Sequence, residues 1–390
     1  MSFARQILTH TVVFTAVIGL ATGCANQHRQ TTTPLRTAEK TEKTSQPKQP
    51  PRFASQQTPM PARFAGAVSL YGELVRREGG LAPVSTSENL RQVTASREGA
   101  DFDVAVDPKS ERLCFASTRH STTANLYLRS VDGSTVTQLT NEAGNDVMPT
   151  FSPDGKYIAF ASDRSGTWNI FLQPIEGGKA IQITDDPSQE LHPSFSPDAK
   201  QIVFSALSNR SGQWEMVVVD VENPSKRRFI GFGLFPKFSP DGKKIAFQRA
   251  RQRGSRTFSV WTVDYADGEA TRPTEIAAAG NAAVITPAWS PDGKRLAFAT
   301  VVDPSSHDVT ARPREAELWM IDLDGNNRVR LTQDMHANLQ PAWASDGTLY
   351  FISNRAGHEN IWALKPSTGS ILAEQPIGLP EDPQASVPTD

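Results

Sequence analysis

Cysteine is scarce in this chain, and neither sign of charge is in excess. Cys24 and Cys114 are its two cysteines among 390 residues, and neither belongs to a Cys-x-x-Cys pair, so a disulfide framework and a cysteine-rich zinc site are excluded. The 40 basic and 42 acidic side chains leave a formal net charge of −2, which argues against a nucleic-acid binder. A mean hydropathy of −0.41 excludes a multi-span membrane protein. We therefore expect a soluble globular protein that folds around its own core.

The motifs of several enzyme classes are also missing. The sequence contains no Gly-x-Ser-x-Gly motif of α/β-hydrolases and no Gly-rich phosphate loop. His358 and Glu359 lack the second histidine that a metalloprotease helix requires. The other histidines after residue 100 are scattered along the chain, at His120, His192, His307 and His336. Their spacing predicts no metal site, and no cofactor is expected.

The one long apolar run lies at residues 7–21, after Arg5. It is shorter than the about 20 residues that span a bilayer, and it ends in small residues, which is typical of a cleavable signal peptide. Gly23 directly precedes Cys24, as in a bacterial lipobox, where cleavage leaves the cysteine as a lipidated N-terminus. The sequence therefore predicts a lipoprotein signal peptide at 1–23 and a membrane anchor at Cys24. A plain secretory signal with an incidental cysteine is the alternative.

Three segments outside the main domain follow from composition. Residues 24–62 are rich in Thr, Gln, Lys and Pro and have no apolar periodicity, so we expect a disordered tether. Residues 63–88 place apolar side chains at helical spacing before a Gly-Gly pair, which predicts one short amphipathic helix and a linker. The Pro-rich residues 377–390 are expected to be a disordered tail.

From residue 89 the chain repeats one unit six times. Five copies carry a Pro-x-aromatic block followed by Ser-Pro-Asp-Gly or a close variant, beginning at Pro149, Pro193, Pro236, Pro287 and Pro341. Pro108 marks a degenerate first copy, and successive units are 45, 44, 43, 51 and 54 residues apart. Repeats of this length are typical of propellers and solenoids.

Each unit resolves into four short strands. The Ser-Pro-Asp-Gly block suits a tight hairpin, because Pro fits the second position of a type I turn and Gly supplies a positive φ. Ala199 stands where four other copies have this Gly, and Cys114 falls where other copies have a small core residue. Four strands with four connections account for the shorter periods. The sequence predicts an all-β fold, a six-bladed propeller of four-stranded antiparallel blades over residues 89–376.

The ends of the repeat region predict how the ring closes. The last unit has a weak fourth strand, whereas Leu90 to Thr94 match the fourth strand that ends at Thr140. We therefore expect residues 89–95 to complete the sixth blade. An open solenoid is the alternative, but it has no need for a fourth strand ahead of the first unit.

The repeats resemble those of TolB, the periplasmic component of the Tol envelope system. The resemblance rests on the turn at Ser152–Gly155, the following Ile-Ala-Phe-Ala-Ser-Asp-Arg164, and then Gly166 and Asn169. It implies the propeller fold and the binding of proteins. Related repeats occur in oligogalacturonate lyases and in the propellers of prolyl-oligopeptidase-type hydrolases. A glycan-cleaving propeller enzyme and an accessory propeller of a peptidase system are therefore the alternatives.

Arginines mark the loops that follow the second strands. The candidate binding residues are Arg164, Arg210, Arg249, Arg251, Arg253, Arg256, His307, Arg312, Arg314 and Arg355. Arg119 occupies the same loop in the first unit, and Asp103, Asp146 and Glu190 are expected where first strands begin, on the same face. The competing interpretation is that these arginines pair with those acids and hold the blades. Either His192 or His336 could reach the central channel, because both precede a repeated Pro, and a merely solvated loop histidine is the alternative.

The insertion at residues 301–315 and the basic stretch at 249–256 fall in adjacent units and are too polar for a core. Recognition commonly resides in loops that the scaffold does not require. The sequence thus predicts a non-catalytic, monomeric propeller that binds an acidic envelope protein and no nucleic acid. The lipid on Cys24 would hold it to the periplasmic face of a membrane, the outer being favoured over the inner.

Overall fold

The computed structural model describes residues 90–251, 257–302, 304 and 313–366. The expected signal peptide, Cys24, the tether, the helix at 63–88 and the tail at 377–390 lie outside these residues. The regular secondary structure in the described ranges consists of β-strands alone. Accordingly, no helix in them has the length and apolar character to span a membrane.

Twenty-four strands form six four-stranded antiparallel sheets. Blade 1 contains β2 (Asp101–Val106), β3 (Arg112–Ser117), β4 (Asn125–Ser130) and β5 (Val136–Gln138). Blade 2 contains β6 (Asp146–Phe151), β7 (Tyr157–Ser162), β8 (Asn169–Pro174) and β9 (Ile181–Gln182). Blade 3 contains β10 (Glu190–Phe195), β11 (Gln201–Leu207), β12 (Trp214–Asp220) and β13 (Arg227–Phe232).

The other three blades follow the same order. Blade 4 contains β14 (Leu234–Phe238), β15 (Lys244–Ala250), β16 (Phe258–Ala266) and β17 (Glu269–Ala277). Blade 5 contains β18 (Ala282–Trp289), β19 (Arg295–Val302), β20 (Glu317–Asp322) and β21 (Val329–Arg330). Blade 6 contains β22 (Asn338–Trp343), β23 (Leu349–Ser353), β24 (Asn360–Leu364) and the N-terminal β1 (Arg91–Gln92).

The six blades form a closed ring. Each first strand contacts the first strand of the next blade, and β22 returns to contact β2. In blade 6, β1 pairs antiparallel with β24, with Gln92 opposite Trp362. The prediction of a six-bladed propeller closed by its N-terminal strand is confirmed, and the solenoid is excluded.

The hairpins between first and second strands explain the repeated Ser-Pro-Asp-Gly block. In blade 2, the Ser152 hydroxyl donates to Asp154 at 2.5 Å and accepts the N–H of Tyr157 at 3.0 Å. Gly155 has a φ of +69°, as the turn requires. The hydrogen bond from Ser152 lowers the pKa of Asp154. The Ser and Asp side chains thus fix the turn, and the corresponding side chains repeat this arrangement in blades 3, 4 and 5.

The second strands carry the core between blades. Ile158, Ala159 and Phe160 are fully buried, and so are Leu113 and Cys114 in blade 1. Burial raises the pKa of the Cys114 thiol, so this cysteine is a small core residue as the repeat predicts. Burial of these apolar strands on both faces positions the first strands around a central channel.

Candidate functional site

Each first strand carries one non-glycine residue in the left-handed backbone region. These residues, which we call the channel ring, are Asp103 (φ +53°), Met148 (+54°), His192 (+60°), Phe235 (+53°), Thr286 (+53°) and Gln340 (+51°). A register shift against the second strand occurs at the same place in all six blades. Because it recurs in every blade, the bulge is a regular feature of the fold.

Proline explains the position of the bulge. In five blades the channel-ring residue directly precedes the first Pro of the repeated block, as Met148 precedes Pro149. Proline has no N–H to donate to the ladder and occurs in sheets mainly at edges and bulges. Non-glycine residues in this backbone region are strained, and such residues concentrate at functional sites. The channel ring is therefore the leading candidate site of the fold.

The channel ring surrounds a cavity of about 70 Å³. Its polar lining comes from Asp103, His192, Lys237, Thr286 and Gln340, which belong to five different blades. Prolines and the side chains of the ring supply the apolar part of the wall. A concave site that combines an apolar wall with a few converging polar groups is typical of a binding site.

Burial changes the titration of two of these groups. Burial lowers the pKa of Lys237 to about 8, although Asp103 acts in the opposite direction. Burial, with a smaller contribution from Lys237, lowers the pKa of His192 well below its ordinary value. At neutral pH the His192 ring is therefore neutral, whereas Lys237 carries most of its charge.

Two hydrogen bonds, one of its side chain and one of its backbone, hold Asp103 in the ring. Its Oδ2 accepts the N–H of Met148 from the next blade at 3.1 Å. Its own N–H donates to Gln340 Oε1 of the preceding blade at 3.2 Å. His192 is fixed by packing, with its ring 3.6 Å from the Phe235 ring, centroid to centroid, and 6.4 Å from that of Trp214. These contacts join blade 1 to blades 2 and 6, and blade 3 to blade 4.

The arginine at the loop after the second strand pairs with an acid at the start of the first strand. Arg164 donates to both oxygens of the fully buried Asp146 at 2.7 and 2.8 Å, and to Ser162 Oγ at 2.9 Å. Its guanidinium lies 4.9 Å from the centroid of the Phe171 ring. The face on which these loops lie is called the arginine face below, and the opposite face, with the Ser-Pro-Asp-Gly turns, the hairpin face.

Other blades keep this ion pair with substitutions. Arg119 pairs with Asp101 in blade 1, at 2.7 Å, so the acid that begins the first strand there is Asp101. The expectation for Asp103 was wrong, because the bulge turns its side chain to the channel. In blade 3 Arg227 of β13 pairs with Glu190.

Two further predicted residues differ in exposure. Arg355 donates to Asp334 at 2.7 Å and to Asn338 at 2.8 Å. Arg210, by contrast, is exposed, and no ion pair of its side chain is found among the described residues. Arg355, like Arg164, is therefore engaged in holding its blade, whereas Arg210 is open to solvent.

Two exposed arginines at the end of the second strand of blade 4 lie on the arginine face. Arg249 lies with its guanidinium 5.8 Å from the centroid of the Trp261 ring. Arg251 donates to the carbonyl oxygen of Ala279, in the connection that leads to β18, at 3.1 Å. Val302 ends β19 on the same face and is 44% exposed, and Arg314 is also exposed. Arg253, Arg256, His307 and Arg312 lie outside the described residues.

The histidine prediction is half right. His192 lines the channel, but His336 lies in the loop before β22, and Gln340 takes the corresponding ring position. Lys237, Thr286 and Gln340 were missed as channel residues. The residue before the first Pro of each block was the available signal for Thr286 and Gln340. No group of three or more His, Cys, Asp or Glu side chains arranged to hold a metal occurs in the ranges that the structure covers.

The TolB beta propeller domain family matches residues 81–230 and 232–378. The chain belongs to this family. The two matched ranges together include every described blade, which agrees with the repeated hairpins and the closed ring. A comparison with curated proteins found no match.

Solved structures share the fold at low identity. A TolB-type protein from Agrobacterium tumefaciens is 21% identical, with a TM-score of 0.54, over 68% of this chain and 90% of that one. The oligogalacturonate lyase of Vibrio parahaemolyticus is 14% identical, with a TM-score of 0.50, over 73% and 96%. The tricorn protease is 17% identical, with a TM-score of 0.50, over 69% of this chain but 25% of its own. The fold is thus shared by a TolB-type protein and by enzymes.

Proposed function

We propose that this chain is a non-catalytic propeller of the bacterial cell envelope that binds an acidic protein partner on its arginine face. The lipid on Cys24 holds it to the periplasmic side of a membrane, the outer in preference to the inner. Membership of the TolB beta propeller domain family supports the envelope setting.

The observation that carries the proposal is the exposure of Arg249 and Arg251 on the arginine face, on which the exposed Val302 ends β19. On the same face, Arg119 and Arg164 pair with buried acids, whereas Arg210 of blade 3 is exposed like Arg249 and Arg251. Arginine is enriched at protein interfaces, and an exposed apolar side chain beside it adds area to bury. In sequence, Arg253 and Arg256 follow directly, so the same region gains positive charge. An acidic partner surface would meet this region favourably.

Site-specific photo-crosslinking in living cells tests the binding face. Benzoyl-phenylalanine replaces Val302 on the arginine face and, as the matched control, the exposed Tyr157 on the hairpin face. We expect a specific adduct with an envelope protein from position 302 and none from position 157. Adducts from position 157 alone would move the binding site to the other face, and no adduct from either would contradict a protein partner.

The anchor is tested separately. Cys24→Ser should abolish incorporation of labelled fatty acid and retain the precursor, because the lipid is attached through the sulfur. Cys114→Ser is the control, since Cys114 is fully buried. Labelled, processed protein from Cys24→Ser would contradict the lipoprotein assignment.

An oligosaccharide-cleaving enzyme is the second candidate, favoured by the fold shared with an oligogalacturonate lyase. The channel contains Asp103, His192 and Lys237, which are residue types that transfer protons. Turnover of oligogalacturonate by the purified chain, lost in Lys237→Met, would favour this candidate over a binding platform.

A further inference from the structure

The channel cavity contains buried polar atoms that the fold itself does not satisfy. His192 is 2% exposed and Thr286 is 6% exposed, and both line the cavity. Neither ring nitrogen of His192 nor the Oγ1 of Thr286 has a hydrogen-bond partner in the part of the chain that the structure describes. Buried polar atoms normally have partners, because losing water without replacement is costly. These atoms are therefore placed to meet a ligand.

A second buried side chain supports the wall beside Thr286. Gln248 is fully buried, and its Oε1 accepts the N–H of Thr286 at 2.8 Å. Its Nε2 has no partner within the described ranges. Since Oε1 is already used, the remaining capacity of this amide is that of a donor. The hydrogen bond from the Thr286 N–H to Gln248 also fixes the bulge at Thr286. The bulge and this bond together hold the Thr286 hydroxyl at the cavity.

Charge at the cavity comes from one side chain of each sign. Lys237 lines the cavity, and no ion pair of its side chain within 4.0 Å is found among the described residues. Asp103 lines the same cavity, and its carboxylate already accepts the N–H of Met148. Lys237 offers three donors, Thr286 one and the neutral His192 one. Donors thus predominate, and a small group that accepts hydrogen bonds and carries one negative charge would complement them.

We propose that the channel ring binds a carboxylate group, with Lys237 and Thr286 as donors to its oxygens and His192 beside them. The cavity of about 70 Å³ has room for a carboxylate with one or two carbons, because one water needs about 10–15 Å³ on this measure and such a group has three or four heavy atoms. The Asp103 carboxylate repels any anion at this site, but it repels a dianion such as phosphate more strongly than a carboxylate, which carries one charge that Lys237 can offset. An Asp or Glu side chain of the acidic partner and a free small carboxylate share this chemistry. The partner as the source rests on the proposed function.

Nuclear magnetic resonance titration of the purified chain tests the site. Sodium acetate and the capped peptide acetyl-Gly-Asp-Gly-amide are added at constant ionic strength, with sodium chloride, sodium phosphate and acetyl-Gly-Asn-Gly-amide as controls. We expect saturable shifts of the His192 ring resonances, assigned with His192→Phe, for acetate and the Asp peptide only. A response to the peptide but not to acetate identifies a protein side chain as the ligand, and the reverse identifies a free small molecule.

Variants decide which residues bind. Lys237→Met and Thr286→Val should each weaken binding roughly tenfold or more, because each removes a donor from a desolvated site. Lys156→Met, at an exposed lysine of the hairpin face, should leave binding unchanged. Circular dichroism verifies folding, and if Lys237→Met does not fold, Thr286→Val decides alone.

The proposal is overturned if chloride or phosphate produces the same saturable shifts, if no probe produces any, or if both channel variants bind as the parent does. Failure of the proposed function is distinguishable. Absence of the adduct from position 302 with carboxylate binding intact would remove the protein partner and leave the free carboxylate. An adduct without carboxylate binding would retain the platform and remove the channel ligand.

Discussion

The hydroxyl of Thr94 accepts the backbone N–H of Ile361 at 3.0 Å, although the two residues are 267 positions apart. Thr140 makes the same contact to the N–H of Leu126 within blade 1, at 2.9 Å. Thr94 is 3% exposed. The N-terminal segment therefore performs in blade 6 the task that the fourth strand performs in blade 1, and the ring closes by hydrogen bonds between the two ends of the domain.

Thr94→Val should destabilise the propeller by about 1–3 kcal/mol, because the buried N–H of Ile361 loses its acceptor while side-chain shape is preserved. Thr137→Val, at an exposed position of β5, is the control and should change the free energy of unfolding little. Urea denaturation measures both. Equal stability of Thr94→Val and the parent would show that closure does not depend on this contact.

Ala199 has a φ of +59° at the hairpin position where Gly155 has +69°. Ala199→Gly should therefore stabilise the chain by roughly 1 kcal/mol, because glycine adopts this conformation without the penalty of a Cβ. Gly155→Ala should lose a similar amount, since the nearest atom to an added Cβ lies 3.8 Å away and causes no clash. Thermal denaturation of the pair decides, and a loss of stability in Ala199→Gly would contradict the backbone argument.

Arg164 and Arg210 occupy the same loop in neighbouring blades but differ in their contacts. Arg164→Met should cost about 3–5 kcal/mol, because it leaves the buried Asp146 carboxylate without its partner. Arg210→Met should change stability by about 0.5 kcal/mol or less, as is usual for an exposed side chain. Chemical denaturation measures both. Similar losses in the two variants would contradict the division into holding and exposed arginines.

His192 makes stability depend on pH in a stated direction. The folded chain keeps the ring neutral because burial lowers its pKa well below 6.5, whereas the unfolded chain binds a proton below about pH 6.5. Stability is thus fully present above pH 6.5 and is lost as the pH falls below it. The parent should therefore lose more stability than His192→Phe as the pH falls from 6.5 to 5. Parallel pH profiles of the two proteins would show that His192 is protonated in the folded state.

The repeated block predicted the fold because each of its residues has a local role. Pro153 and Gly155 set a hairpin, and the strand after it is apolar because it is buried between blades. Recurrence at a nearly constant spacing then limited the architecture to a ring or a solenoid. The match of Thr94 with Thr140 predicted closure, because both provide the same hydroxyl acceptor at the end of a fourth strand.

The candidate site was less accessible to sequence reasoning. Alternation along β2 predicted nothing about the bulge at Asp103, which reverses the side that its carboxylate faces. In sequence, nothing distinguishes Lys237 from the other polar residues of the repeated block. Only the folded ring places it in one cavity with residues of other blades. In blade 3 the partner of Glu190 is Arg227 and not Arg210. The sequence could not predict this pair, because Arg227 comes from the outer strand of the blade and meets Glu190 only in the folded sheet.

The charge of the arginine face is the central claim, and one measurement tests it most directly. The yield of the adduct from benzoyl-phenylalanine at position 302 is compared in two charge-reversal backgrounds, Arg249→Glu with Arg251→Glu, and Lys156→Glu with Lys200→Glu on the hairpin face. Both pairs change the net charge equally, at exposed positions. The account predicts that the arginine pair abolishes most of the adduct and that the lysine pair leaves it unchanged. Equal yields in the two backgrounds, with both proteins folded, would contradict it.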